Sequence, residues 1–94
     1  MARVLVTAHL PGDGPARLAA AGHEVVYRDV AAAMPRDELL QAVAGVDGLV
    51  AMMVDRVDAE LLDAAGPGLQ VVADVVVGYD NVDVAACSER GVVV

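Results

Sequence analysis

Residues 58–77 read DAELLDAAGPGLQVVADVVV, and the fold turns on how this stretch is divided. A short helical pattern, ELLDAAG, closes on Gly66. Glycine is favoured just past a helix because it takes the left-handed conformation without a Cβ clash. Asp58 precedes the pattern, where a carboxylate accepts from orphan amides and suits the positive helix end. An apolar, β-branched run follows Gly66 and reads as a strand. The unit is therefore helix, glycine, strand.

The same unit recurs along the chain. ARLAAAG, ELLQAVAG and VAACSERG end on Gly22, Gly45 and Gly91, roughly two dozen residues apart. Apolar runs follow each of them: HEVVYR, DGLVAMMV and the terminal VVV, while RVLVTA opens the chain. Strands are expected near 3–8, 23–28, 48–54, 69–77 and 91–94, with helices near 14–21, 36–44, 58–65 and 83–90. Pro15 and Pro35 stand where first-turn prolines are tolerated, and Asp83 is a second N-cap candidate. The strand runs are near-continuously apolar, which indicates burial on both faces and a parallel sheet. A repeat of this length can also mean a solenoid, but the units share no side-chain signature beyond cap and glycine.

These elements predict one α/β domain: a five-stranded, doubly wound parallel sheet of the flavodoxin kind, order 2-1-3-4-5. Such a sheet is usually closed by a helix after its fifth strand, and here the chain stops on GVVV. Part of one face is then expected to lie bare, an apolar strip suited to self-association as a homodimer.

The 94 residues suffice for a single core, and no second domain is legible. Hydrophobic residues make up 57% but aromatics only 2%, so Val, Leu, Ala and Met must fill that core. Net charge is −8, from 14 acids against 6 bases, all of them arginine. Without a basic patch, nucleic acid is not an expected partner. No apolar run approaches the roughly 20 residues that span a bilayer, and no signal-peptide pattern opens the chain. Cys87 stands alone, an inert buried thiol by its apolar neighbours, which fits a reducing cytoplasm.

Ligands of open α/β sheets bind beyond the carboxyl ends of the strands. The groups expected there are Thr7, His9, Met52, Met53, Asp55, Arg56 and the loop from Val76 to Asn81. Of the successive Met52 and Met53, one should face a core and the other the opposite layer or the crevice. Gly78 either turns the chain, with Asp80 and Asn81 bonding their own loop, or opens a nest of backbone amides for an anion. Asp55 and Arg56 are a helix-start cap and a surface charge, or they line a pocket. His9 reads as a solvated loop residue at that edge and His23 as a structural one at the other, so the two cannot pair. A P-loop is excluded by the absence of lysine, and GxGxxG is absent as well. Metal ligation has no motif to support it.

VLVTAHLPGDGPARLAAAGHEVV, then the run from Met34 to Ala73, then VGYDNVDVAACSERGVVV resembles the N-terminal segment of D-isomer-specific 2-hydroxyacid dehydrogenases. Glyoxylate/hydroxypyruvate reductases are the nearest match within that family. The resemblance covers essentially the whole chain. It implies a substrate domain of flavodoxin-like fold, normally followed by an inserted NAD(P)-binding domain and completed by a returning helix. It implies that the amides of Val77 and Gly78 hold a 2-oxo acid carboxylate, that Met52 and Met53 form part of the substrate wall, and that Asp80 and Asn81 fix the loop. The family's catalytic arginine, glutamate and histidine lie in or after the cofactor domain, so this chain alone is expected to lack activity. It departs from the family at Asp74, Val75 and Val76, where relatives carry an Asn, an aromatic or small residue, and a small residue. Val76 adds bulk, and Asp74, if close, would repel an anion. These departures and the stop at strand five suggest an excised or engineered fragment.

Overall fold

The structure, a computed structural model, describes residues 2–75 and 81–94. Four strands alternate with four helices: β1 (Arg3–Val6), α1 (Gly14–Ala20), β2 (Glu24–Tyr27), α2 (Arg36–Ala42), β3 (Gly48–Met52), α3 (Ala59–Ala65), β4 (Val71–Val75) and α4 (Val84–Glu89). All pairings are parallel and the order is β2-β1-β3-β4. Every expected helix is present, each trimmed by a residue or more.

Helix starts follow local chemistry. The side chains of Asp58 and Asp83 cap α3 and α4 by accepting from the Leu61 and Ala86 amides, each at 3.0 Å. Pro15 lies in the first turn of α1, whereas Pro35 stands one place earlier, as the N-cap residue of α2. The glycines that close the helices, Gly22, Gly45, Gly66 and Gly91, all have positive φ. That conformation excludes most L side chains, so the repeated glycine marks the point where each helix gives way to its strand approach.

The fifth strand is a correction. Val93 makes a single parallel bridge to Val71, with the Val72 amide donating to the Val93 carbonyl at 2.8 Å and the Val93 amide to the Gln70 carbonyl at 2.9 Å. The terminal run thus occupies the fifth position beside β4 but forms no ladder there. Two hydrogen bonds fix too little backbone to make a strand. The other strands are also shorter than expected. β3 stops at Met52 because the Asp55 amide turns back to the Met52 carbonyl at 3.0 Å.

The chain runs outward from β1 to β2, then crosses back past β1 to β3 and β4. Right-handed crossovers then put α1 on one face and the later helices on the other. Leu5, Leu49, Ala51 and Val72 face the side packed by α2, α3 and α4, where Leu39, Val43, Leu61, Leu62, Ala86 and Cys87 complete one core. On the opposite face α1 covers β2 through Pro15, Ala16 and Ala19 against Val25 and Tyr27.

Burial on both faces, expected of every strand, fails at β2, which has no buried residue, and at β4. Val71 and Val75 are 45% and 42% exposed, with Ala73 exposed between them. They share a face with Gly48, Val50 and Met52 of β3, and no described helix covers that half of the sheet. Among the described residues, Val71, Ala73 and Val75 thus form an exposed apolar row. No helix among the described residues is long and apolar enough to cross a membrane.

Candidate functional site

The chain reverses its winding between β1 and β3, and the ends of these two strands diverge there. Ala8 and His9 leave β1 on one side; Met52, Met53, Val54 and Asp55 leave β3 on the other. With Ala31, Ala33 and Val75 they line a cleft of about 300 Å³. A crevice at this switch point is where open α/β sheets bind ligands. A larger hollow of about 390 Å³, beside Leu69, Arg90 and Val92, lies at the opposite end of the sheet. It lacks that placement, so the smaller cleft is the candidate.

Asp55 shapes the cleft from below. It is 3% exposed, and its Oδ2 accepts from the Thr7 hydroxyl and from the Met52 amide at 2.9 Å. Thr7 is itself fully buried. A buried carboxylate is tolerable only when its oxygens are answered by donors. Asp55 therefore braces the turn after β3 against the end of β1. It is neither a helix cap, which is the role of Asp58, nor a free charge in the cleft. Arg56 does not line the cleft; its carbonyl accepts from Arg36 Nη1 at 2.6 Å. Arg36 also reaches Asp58 at 2.6 Å and Glu60 at 3.1 Å. Burial opposes the charge on Asp58, but the Leu61 amide and the Arg36 guanidinium outweigh it and hold the carboxyl below its ordinary value.

Asn81 closes the same corner from the far side. Its Nδ2 donates toward the Met52 carbonyl at 3.1 Å, the Asp55 carbonyl at 2.9 Å and Asp74 Oδ1 at 2.9 Å. Three acceptors around one nitrogen fix the orientation of the amide. The main chain adds a second tie: the Val57 amide donates to the Asn81 carbonyl and the Asp83 amide to the Val57 carbonyl, both at 2.8 Å. Asp74 is thus turned toward Asn81, on the face that Ala51 shares. Among the described residues, Asp74 Oδ2 and Asn81 Oδ1 are buried without partners.

Neither Met52 nor Met53 faces the core, a correction to the expected alternation: β3 ends at Met52, so Met53 lies in the following turn, and both line the cleft. Met52 is partly buried at the end of β3, and Met53 is 64% exposed at the rim. Val77, Gly78, Tyr79 and Asp80, with Val76, lie outside the described residues. His9 stands at the rim with its Nδ1 2.6 Å from Asp29 Oδ1. Arg28 Nη1 donates to the Thr7 and Ala32 carbonyls, at 3.3 and 2.5 Å, and so pins the following loop over β1. His23 lies at the other end of the sheet and accepts from the Ala2 amide at 3.1 Å. Cys87 is fully buried in α4, where burial pushes its thiol pKa up. Sequence reading put Thr7 at the ligand edge and, through the resemblance, made Asn81 a loop support; their partners, and the part played by Asp74, lay beyond it, because each partner sits in another element.

The family model for the catalytic domain of D-isomer specific 2-hydroxyacid dehydrogenases matches residues 4–94. The chain belongs to that family. Among 2-hydroxyacid dehydrogenase relatives, the glyoxylate reductase/hydroxypyruvate reductase of Mus musculus is 42% identical over 91 residues. Those residues are 96% of this chain and 28% of the mouse protein. The glyoxylate reductase of Thermococcus kodakarensis is 49% identical over 61 residues, 65% of this chain and 18% of its own length. The crystal structure of the TT0316 protein from Thermus thermophilus superposes with a TM-score of 0.89 at 46% identity, covering 97% of this chain and 29% of that one. An NADPH-dependent glyoxylate/hydroxypyruvate reductase from Sinorhizobium meliloti, solved with citrate, gives 0.66 at 26% identity, covering 99% and 28%. The chain therefore spans under a third of the relatives that it matches.

Among the solved neighbours, a 3-phosphoglycerate dehydrogenase from Entamoeba histolytica holds NAD+ and the Sinorhizobium meliloti reductase is NADPH-dependent. The turn from β1 into α1 carries Asp13 at the helix N-cap and Pro15 in the first turn. A pyrophosphate at that helix end would face the Asp13 carboxylate, and Pro15 offers it no amide.

Proposed function

We propose that this chain is the substrate-binding part of a 2-hydroxyacid dehydrogenase of the glyoxylate/hydroxypyruvate reductase type, and that by itself it binds a 2-oxo acid without reducing it. The observation that carries this reading is the cleft at the switch point between β1 and β3, small, walled by Ala, Val and Met, and braced by Asp55 and Asn81. Its size suits an acid of two to four carbons. Val77 and Gly78, two and three residues beyond the cleft-lining Val75, are the proposed carboxylate cradle, with Met52 and Met53 as wall and Asp80 and Asn81 as loop support.

Hydride transfer requires a nicotinamide held against the substrate carbonyl and a proton donor beside it. We assign NAD(P) to the complete enzyme; this chain spans under a third of the matched relatives' length. Titration of the chain with glyoxylate and with oxalate, followed by backbone amide NMR, tests the reading: Met52–Asp55 and Asn81 should shift. Absence of any shift there at millimolar ligand overturns it. Oxidation of NADPH by the chain with glyoxylate, followed by nicotinamide absorbance, would overturn the non-catalytic half.

A second reading concerns the exposed row Val71, Ala73 and Val75. The row is continuous with Val50 and Met52 and carries no charge, and we propose that it is an association surface between two copies.

A further inference from the structure

The methionines among the described residues stand in three different environments. Met34 is 8% exposed and belongs to the core. Met52 is partly buried at the end of β3. Its amide donates to Asp55 Oδ2 at 2.9 Å, and its carbonyl accepts from the Asp55 amide at 3.0 Å and from the Asn81 side chain at 3.1 Å. Met53, one residue on, is 64% exposed at the cleft rim. The three hydrogen bonds hold the turn, so Met53 is presented to solvent by a fixed backbone and not by a frayed end. We propose that Met53 is a site of reversible oxidation: it takes one oxygen from a peroxide to become the sulfoxide, and gives it up to a sulfoxide reductase, while the chain stays folded.

The peroxide alone balances the step. A sulfur lone pair attacks one peroxide oxygen, the O–O bond breaks and an S–O bond forms. The displaced hydroxide leaves as water with the proton of the transferred hydroxyl, so sulfur loses two electrons and the peroxide gains them. No neighbouring acid or base is required, and exposure decides which methionine reacts. Val54, next along the turn, is also 64% exposed, so an oxidant meets an open rim. The sulfoxide is polar. At Met34 it would set an unanswered dipole in the core, whereas Met53 lies outside the core cluster and bears it at the surface. The rim that Met53 shares includes Ala8, Ala31, Ala33 and Val54, so oxidation turns part of an apolar cleft wall polar. That change holds whatever the cleft binds, and the inference does not rest on a 2-oxo acid site.

The test treats the chain, its methionine methyl groups labelled with carbon-13, with dilute hydrogen peroxide at neutral pH and follows each methyl by NMR. Met34→Leu, Met52→Leu and Met53→Leu assign the resonances. The Met53 methyl should convert first, about tenfold or more faster than that of Met34, whose sulfur is reached only when the core opens. The oxidised chain should keep the urea midpoint of the starting one. Methionine sulfoxide reductases for the two sulfoxide epimers should restore the original spectrum without denaturant. Met53→Leu should leave Met34 and Met52 at their slow rates. Conversion of Met34 or Met52 as fast as Met53 overturns the inference. So does a Met53 sulfoxide that unfolds the chain, or one that the reductases reverse only in denaturant.

Discussion

Asn81 and Met52, 29 residues apart in the chain, meet where the Asn81 side-chain amide donates to the Met52 carbonyl at 3.1 Å. The same nitrogen serves the Asp55 carbonyl and Asp74, so one amide ties together the end of β3, the turn after it and the end of β4. Asn81→Ala leaves those acceptors without their donor. Stability should fall by about 1–3 kcal/mol, read as a lower urea midpoint at unchanged slope. Asn81→Asp should cost more, because a second carboxylate then faces Asp74. A midpoint that does not move in either variant would show that water replaces the amide at no cost.

The Thr7–Asp55 hydrogen bond joins β1 to the cleft floor. Thr7→Val keeps the shape and removes the hydroxyl, leaving a buried carboxylate with one donor fewer. A loss of about 1–3 kcal/mol is expected, with Thr7→Ser recovering most of it. A loss in Thr7→Ser with none in Thr7→Val would mean that the methyl group matters and the hydroxyl does not.

Asp58 couples the start of α3 to pH. In the folded chain its carboxyl lies below its ordinary value of 3.8, so the unfolded chain binds the proton more tightly. Its contribution is fully present above that ordinary value and is lost as pH falls through the depressed one. Asp58→Asn retains a capping oxygen but no charge, and its acid-side loss of stability should be shallower than the wild type's. Asp58→Ala removes the cap and should cost about 1 kcal/mol at neutral pH. Parallel stability–pH curves for wild type and Asp58→Asn would remove Arg36 and Asp58 from this account.

Cys87 is buried and its thiol pKa is raised, so the thiolate is scarce and unreachable in the folded chain. A thiol reagent at pH 8 should label it only at the rate of opening, and rapidly in denaturant. Fast labelling without denaturant would place α4 away from the core.

For the bare sheet face, light scattering coupled to size exclusion should show mass rising with concentration. Ala73→Lys puts a charge in the middle of the strip without touching the core and should restore the monomer. A wild type that stays monomeric at high concentration rejects the association surface.

Local chemistry alone determined much of this protein. Helix-closing glycines, aspartate caps and apolar runs are properties of neighbouring residues, and they place α1 to α4 and β1 to β4 within a few positions. The order of strands followed too, since right-handed crossovers leave few arrangements of alternating β and α units. Other features depended on what lies across space. Whether the terminal valines form a strand is decided by the backbone available beside Val71, and β4 looks buried in sequence although no helix covers one of its faces. The cleft is likewise tertiary: Thr7, Asp55, Asp74 and Asn81 are ordinary polar residues until the fold sets them at one corner. A hydrogen bond between distant segments leaves no periodicity along the chain, so only the folded structure could give those four their partners.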